Sequence, residues 1–144
     1  MKSSRAFHKL LPLLVLLGVG GSIRAQEPPE PSPRVREAIR LATDGDYSGA
    51  LARLSALLTE EPENPQLLYY VGLCHYFKGE AKEAARYLQK SVEAKPKFPE
   101  AYYWAAQALR SIDRPGDAER CVRLGVERFP DNKKLRQLSQ NGSQ

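Results

Sequence analysis

Histidine and cysteine are the side chains that most often supply proton carriers, nucleophiles and metal ligands. The chain of 144 residues contains two of each, and His8 lies in an N-terminal segment that we expect to be removed. No serine or carboxylate lies at a helical spacing from His75 that would complete a catalytic triad with it. We therefore interpret His75 as a hydrogen-bonded structural residue on the packed face of a helix.

The two cysteines, Cys74 and Cys121, are an even count, which in an exported protein suggests a disulfide. In the helical units described below, Cys74 falls on the first helix of one unit and Cys121 on the second helix of the next. Stacking of these helices should keep the two Cα atoms beyond the ~7 Å limit for a disulfide. We expect two free thiols, partly or fully buried, and no metal site, because one histidine and two distant cysteines are not a ligand set.

Charge and glycine patterns give little support to a phosphate ligand or a nucleic-acid partner. The formal net charge is +5, but residues 1–25 hold four basic residues and no acidic one, which leaves 18 basic and 17 acidic residues in the remainder. The glycines at 18, 20 and 21 follow no predicted strand, so they do not form a phosphate loop. Lys82, Arg86 and Lys90 align on one helix face, either as an anion patch or as a solvated outer face. The sequence predicts no enzyme activity, no cofactor and no nucleic-acid partner.

The N-terminal segment has the layout of a secretory signal peptide. Residues 1–9 are basic, residues 10–19 are apolar apart from Pro12, and small residues precede Ala25. About ten apolar residues are too few for a bilayer span, which needs ~20. We expect cleavage near Ala25 and a periplasmic or secreted protein with no transmembrane span; an uncleaved anchor is the alternative. Residues 26–33 hold four prolines in seven positions and are expected to form an extended linker.

The rest of the chain is a repeat with a period of 34 residues. Pro62, Pro96 and Pro130 have this spacing, and so have Ala50, Ala84 and Ala118. A further small residue stands twelve positions before each of these alanines, namely Ala38, Gly72 and Ala106. The units are residues 31–64, 65–98 and 99–132, followed by residues 133–144.

Each unit has the pattern of two helices joined by a turn. In the second unit, Leu68, Val71, Gly72 and His75 recur at steps of three and four residues, and the same spacing resumes after Gly79 with Ala84 and Leu88. Small residues at the recurring alanine and glycine positions would let the two helices pack closely. The sequence predicts an all-α protein.

The period and these residues resemble the tetratricopeptide repeat family. Leu68, Val71, Gly72, Ala84 and Pro96 carry the resemblance in the second unit; Tyr102, Ala105, Ala106, Ala118 and Pro130 carry it in the third. The resemblance implies a right-handed α-α superhelix of three helix–turn–helix units with a short C-terminal capping helix. Arg34 and Glu37 replace the apolar residues of the later units, which predicts an N-terminal cap facing water.

The family binds extended segments or helices of other proteins on the concave surface formed by its first helices. Transferred to this chain, that surface is lined by Val35, Ile39 and Thr43, by Tyr69, Leu73, Tyr76 and Phe77, and by Tyr103, Gln107 and Arg110. The rings either stand open to a ligand or pack against the next repeat or the proline-rich linker. The basic and amide residues with which some members hold a C-terminal carboxylate are replaced by Val35, Ile39, Tyr70, Glu100 and Trp104.

The resemblance thus implies an exported, non-enzymatic adaptor that binds an apolar or mixed peptide segment in an aromatic groove. The alternative is a structural component that forms a homodimer or a stacked array. That alternative depends on the end of the chain, where Leu135 and Leu138 are the apolar residues of the short last helix. Either a partner or a second copy docks on an apolar face of the third unit that the short helix covers poorly, or the short helix covers that face sufficiently by itself.

Overall fold

The computed structural model describes residues 30–141. The expected signal peptide, its cleavage site near Ala25, the first half of the proline-rich linker (residues 26–29) and the last three residues lie outside this range. The described part of the chain contains seven helices and no strand. They are α1 (Pro33–Thr43), α2 (Tyr47–Glu60), α3 (Pro65–Lys78), α4 (Ala81–Glu93), α5 (Glu100–Ser111), α6 (Pro115–Arg128) and α7 (Lys133–Asn141).

Side-chain caps and turn residues set the helix boundaries. The Asp46 carboxylate accepts a hydrogen bond from the backbone N–H of Gly49 at 2.8 Å, and the Asn64 side chain accepts from Gln66 at 2.9 Å. These bonds satisfy donors that the first turn of a helix leaves unpaired. Helix α3 ends at Gly79, whose φ of 85° is a left-handed conformation that glycine adopts without a steric penalty. Local sequence therefore places the breaks between helices where the repeat predicted them.

The helices stack in chain order, each against the next, and the first helices of neighbouring units also touch. This arrangement is a helical solenoid and not a bundle around one centre, and it confirms the predicted fold class. The small residues at the helix crossings are buried: Ala50, Ala84 and Ala118 are 0% exposed. Gly72 lies so close to α4 that a Cβ built on it would be 2.6 Å from the Cγ atom of Leu88. The predicted reason for small residues at these positions is confirmed.

The two ends of the solenoid are closed in different ways. On the first unit, Arg34 forms two hydrogen bonds of 2.9 Å with the Glu60 carboxylate, and Arg53 pairs with Glu37 at 3.1 Å. This charged surface suits a terminal unit that faces water. At the other end, Leu135 of α7 is 0% exposed and Leu138 is partly buried against the core. The short last helix therefore covers the apolar face of the third unit.

The structure also agrees with the interpretation of the cysteines. Cys74 and Cys121 are free and buried. Burial raises the pKa of the Cys74 thiol to about 12 and that of Cys121 to about 11. Both are therefore protonated, weakly nucleophilic core residues. Among residues 30–141, no helix is long and apolar enough to cross a membrane.

Candidate protein-binding groove

Five rings form a continuous aromatic cluster on the first-helix side of the solenoid. Phe77 contacts Tyr47 (ring centroids 6.2 Å apart), Tyr76 (5.6 Å) and Trp104 (5.6 Å). Trp104 also contacts Tyr76 at 5.3 Å and Tyr103 at 5.4 Å. All five rings, called the aromatic cluster below, are only partly buried. Residues from α2, α3 and α5 therefore present one accessible apolar surface.

Polar groups on α5 border the aromatic cluster. The amide of Gln107 donates a hydrogen bond to the Tyr103 hydroxyl oxygen at 3.1 Å, which fixes both side chains one helical turn apart. Arg110 follows on the same face of α5 and is half-buried. Its guanidinium forms no hydrogen bond or ion pair with the residues that the structure describes. This end of the groove thus offers a cation without a partner.

Four of the predicted lining residues do not contribute accessible surface. Tyr69 is 2% exposed and packs its ring against Phe98 with the centroids 5.1 Å apart, and Leu73 is 1% exposed. Val35 and Ile39 are also buried. Tyr69 is therefore covered by the end of its own unit, and it does not stand open to a ligand. The accessible surface is shorter than predicted and is centred on Tyr76, Phe77 and Tyr103.

Trp104 and Tyr47 are members of the aromatic cluster that the predicted lining did not include. Trp104 stands 34 residues after Tyr70 and beside Tyr103, so its place in the repeat was a usable signal. Tyr47 begins a second helix, and only the three-dimensional fold brings it against Phe77. No first-helix pattern could have identified it.

Glu100 lies at the opposite end of α5 from Arg110, beside buried tyrosines of α3. Glu100 adds negative potential at Tyr69 and Tyr70. Burial, together with the negative charges of Glu100 and Glu30, raises the pKa of Tyr70 to about 12. Its Oε2 atom is buried and has no hydrogen-bond partner among residues 30–141. Burial raises the pKa of this carboxyl group above its usual value.

His75 plays the structural part that its position suggested. Its Nδ1 atom lies 2.5 Å from a carboxylate oxygen of Glu80, and its ring stacks on Tyr87 with the centroids 5.4 Å apart. Lys78 pairs with the same carboxylate at 2.8 Å, and the two partners hold the pKa of Glu80 below its usual value. These contacts tie the end of α3 to the start of α4.

Comparison with solved structures finds tetratricopeptide-repeat domains with a similar fold. The Sgt2 domain from Aspergillus fumigatus superposes with a TM-score of 0.70 at 18% identity, covering 85% of this chain and 83% of that one. The first such domain of Spaghetti (RPAP3), bound to an HSP90 peptide, gives a TM-score of 0.68 at 15% identity, covering 76% of this chain and 89% of that one. At these identities the likeness shows the fold.

Sequence comparison points to the same repeats. The photosystem I assembly protein Ycf3 of Rippkaea orientalis is 30% identical over an alignment of 94 residues, which covers 58% of this chain and 54% of the relative. The chain thus spans about half the length of this curated relative. Two family models, both described as tetratricopeptide repeat, match residues 35–99 and 78–141. Together they cover residues 35–141, and the chain is therefore a tetratricopeptide repeat protein.

Proposed function

We propose that this chain is an exported, non-enzymatic adaptor that binds an apolar or mixed peptide segment on the aromatic cluster. The observation that carries the proposal is the continuous contact of five partly exposed rings, with Trp104 at its centre. Tryptophan, tyrosine and arginine are the residues on which binding energy most often concentrates in protein interfaces. Trp104, its neighbouring tyrosines and Arg110 supply all three types on one face.

A structural neighbour supports a peptide ligand, since it is solved in complex with an HSP90 peptide. The ligand of this chain should differ from the C-terminal carboxylate that some family members hold. Glu100 and Trp104 are among the residues that replace the basic and amide residues of those members, and a carboxylate placed beside Glu100 would be repelled. An apolar segment with dispersed charges suits the cluster better.

The binding surface is tested by the double variant Tyr76→Ala with Tyr103→Ala. Peptides selected from a displayed library against the wild-type chain should lose at least ~30-fold in affinity, because each ring is expected to contribute at least ~1 kcal/mol and ~2 kcal/mol together correspond to about this factor. Trp104 is the single tryptophan of the chain, so its emission reports peptide binding to the wild-type protein directly. Anisotropy of a labelled peptide gives the affinities of the variants.

Tyr87→Ala is the matched control for this experiment. Tyr87 is also a half-buried tyrosine, but it lies on α4 against His75 and outside the aromatic cluster. It should leave peptide affinity unchanged. Equal affinity of the double variant and the wild-type chain would remove the cluster as the binding surface.

Export is tested by expression of the full chain and of a chain lacking residues 2–25. The full chain should accumulate outside the cytoplasm with a new N-terminus near residue 26, because a basic segment followed by a short apolar run is recognised and cleaved by the secretory pathway. The truncated chain should remain in the cytoplasm and fold normally. Mass spectrometry of the fractionated protein gives both answers, and an intact N-terminus in the cytoplasmic fraction would contradict the proposal.

The burial of Leu135 argues against self-association through the last helix, which is the alternative function. Leu135 is 0% exposed because it packs inside its own chain, near Gly125 and Tyr102. The outward residues of α7 are polar or basic. A residue already buried in the monomer cannot supply the apolar contact of a dimer.

A further inference from the structure

Within the proposed peptide-binding function, we infer that the ligand carries a basic group and an acidic group four to five residues apart, the first paired with Glu100 and the second with Arg110. The inference rests on the two charged residues at opposite ends of α5 and on the aromatic cluster between them. It specifies the charge pattern of the partner, which the cluster alone does not.

Glu100 is a carboxylate whose burial is not compensated. One of its oxygens is buried without a hydrogen-bond partner among residues 30–141, and its own backbone N–H bonds to the side chain. Lys134 of α7 acts on it at a distance, without forming an ion pair with it. A buried carboxylate without a counter-charge costs free energy, which a cation supplied by a ligand would recover.

The surroundings of Glu100 add to its attraction for a cation. Glu30 lies at the same end of the groove, near Tyr70, and is partly neutralised by Arg36 at 3.9 Å. Glu100 as a whole is only half-buried, so part of the residue is open to an incoming ammonium or guanidinium group.

Arg110 provides the opposite charge at the other end. It is half-buried, and its guanidinium has no acidic partner among the described residues. Gln107, Tyr103 and Trp104 lie between it and Glu100 on the same face of α5. A guanidinium beside apolar surface favours a carboxylate, with which it can form two parallel hydrogen bonds.

The helix sets the distance between the two charges. Glu100 and Arg110 are ten residues apart, which corresponds to about 15 Å along a helix with a rise of 1.5 Å per residue. An extended peptide covers about 15 Å in four to five residues at ~3.3 Å each. The side chains between the two charged groups of the ligand would then lie along Tyr103 and Trp104.

Four capped hexapeptides with the same apolar central residues test this pattern. Their end residues are Lys and Asp, two Lys, two Asp, or two Gln. Comparing like-charged with mixed ends makes the test independent of the direction in which the peptide binds. With the wild-type chain, Trp104 emission should show that the mixed peptide binds about tenfold more tightly than the others, as expected for two partly exposed charge pairs.

Charge reversal of the protein provides the decisive comparison. Glu100→Lys should shift the preference to the peptide with two Asp ends, and Arg110→Glu should shift it to the peptide with two Lys ends. Lys134→Met is the control: it removes a charge near Glu100 and should keep the preference for mixed ends.

Glu100→Gln is a second variant for the case that Glu100→Lys fails to fold. It keeps the size of the side chain and removes the buried charge, so the ligand-free chain should become more resistant to denaturant while the preference for a Lys end disappears. Equal binding of all four peptides to the wild-type chain would overturn the charge pattern and leave the aromatic cluster as the binding surface. If none of the four peptides binds, and the Tyr76→Ala and Tyr103→Ala changes also leave the affinity of the library-selected peptides unchanged, both the charge pattern and the aromatic cluster as the binding surface are overturned.

Discussion

Replacement of Gly72 by valine is expected to destabilise the chain by about 3 kcal/mol, because three added methyl-sized groups must fit where α3 and α4 are already in contact. A Cβ at this position would lie 2.6 Å from the Cγ atom and 3.2 Å from the backbone nitrogen of Leu88. Leu88 is 0% exposed, so its side chain cannot turn away into solvent. The two helices must separate, and every contact between them weakens.

Gly72→Ala and Gly116→Ala form a matched pair for this prediction. Alanine favours a helix over glycine by ~1 kcal/mol in the interior, where Gly72 lies, and by less in the first turn, where Gly116 lies. Gly116 has no neighbouring atom within 4 Å of an added Cβ, so Gly116→Ala should stabilise the chain. Gly72→Ala makes the same chemical change and should destabilise it. Chemical denaturation followed by circular dichroism measures both, and a stabilising Gly72→Ala would show that the helices are less closely packed than the structure has them.

The repeat made the fold predictable because the same contacts recur every 34 residues. Gly72 and Ala84 had to be small for two helices to approach, and Pro62, Pro96 and Pro130 had to lie after the second helix, near the end of each unit. Each of these requirements is local to one unit and its neighbour. A single copy would match by chance more easily, whereas three copies in register specify the helix pairs and their order.

The binding surface was less predictable, because position on a helix face does not separate residues that line a groove from residues that another part of the chain covers. Tyr69 and Tyr76 lie on the same face of α3, two helical turns apart. Tyr69 is covered by Phe98, whereas Tyr76 stays partly exposed beside Trp104. The difference depends on the three-dimensional fold, which brings Phe98, the last residue of the same unit, over Tyr69 and leaves Tyr76 beside Trp104. Tyr47 joins the aromatic cluster from a second helix for the same reason.

Leu135→Ala is expected to open the last helix and to cost ~2–5 kcal/mol locally, as for other fully buried leucines. Leu135 is 0% exposed and lies against Gly125 and Tyr102, so it fixes α7 to the third unit. Amide exchange should rise first in α7, because a terminal element of a solenoid can unfold while the inner repeats stay folded. Leu138→Ala, at a partly buried position on the same helix, should have an effect of only ~1 kcal/mol.

The direction of any change in association separates a cap from a dimer contact. If α7 is a cap, its opening uncovers apolar surface around Tyr102 and Phe129, whose rings lie 5.9 Å apart, so the Leu135→Ala variant should associate more strongly than the wild-type chain. If Leu135 were instead the contact between two copies, the same change would turn a dimer into a monomer. Light scattering over a range of concentrations measures the direction, and a wild-type chain that stays monomeric while the variant associates identifies α7 as the element that ends the solenoid.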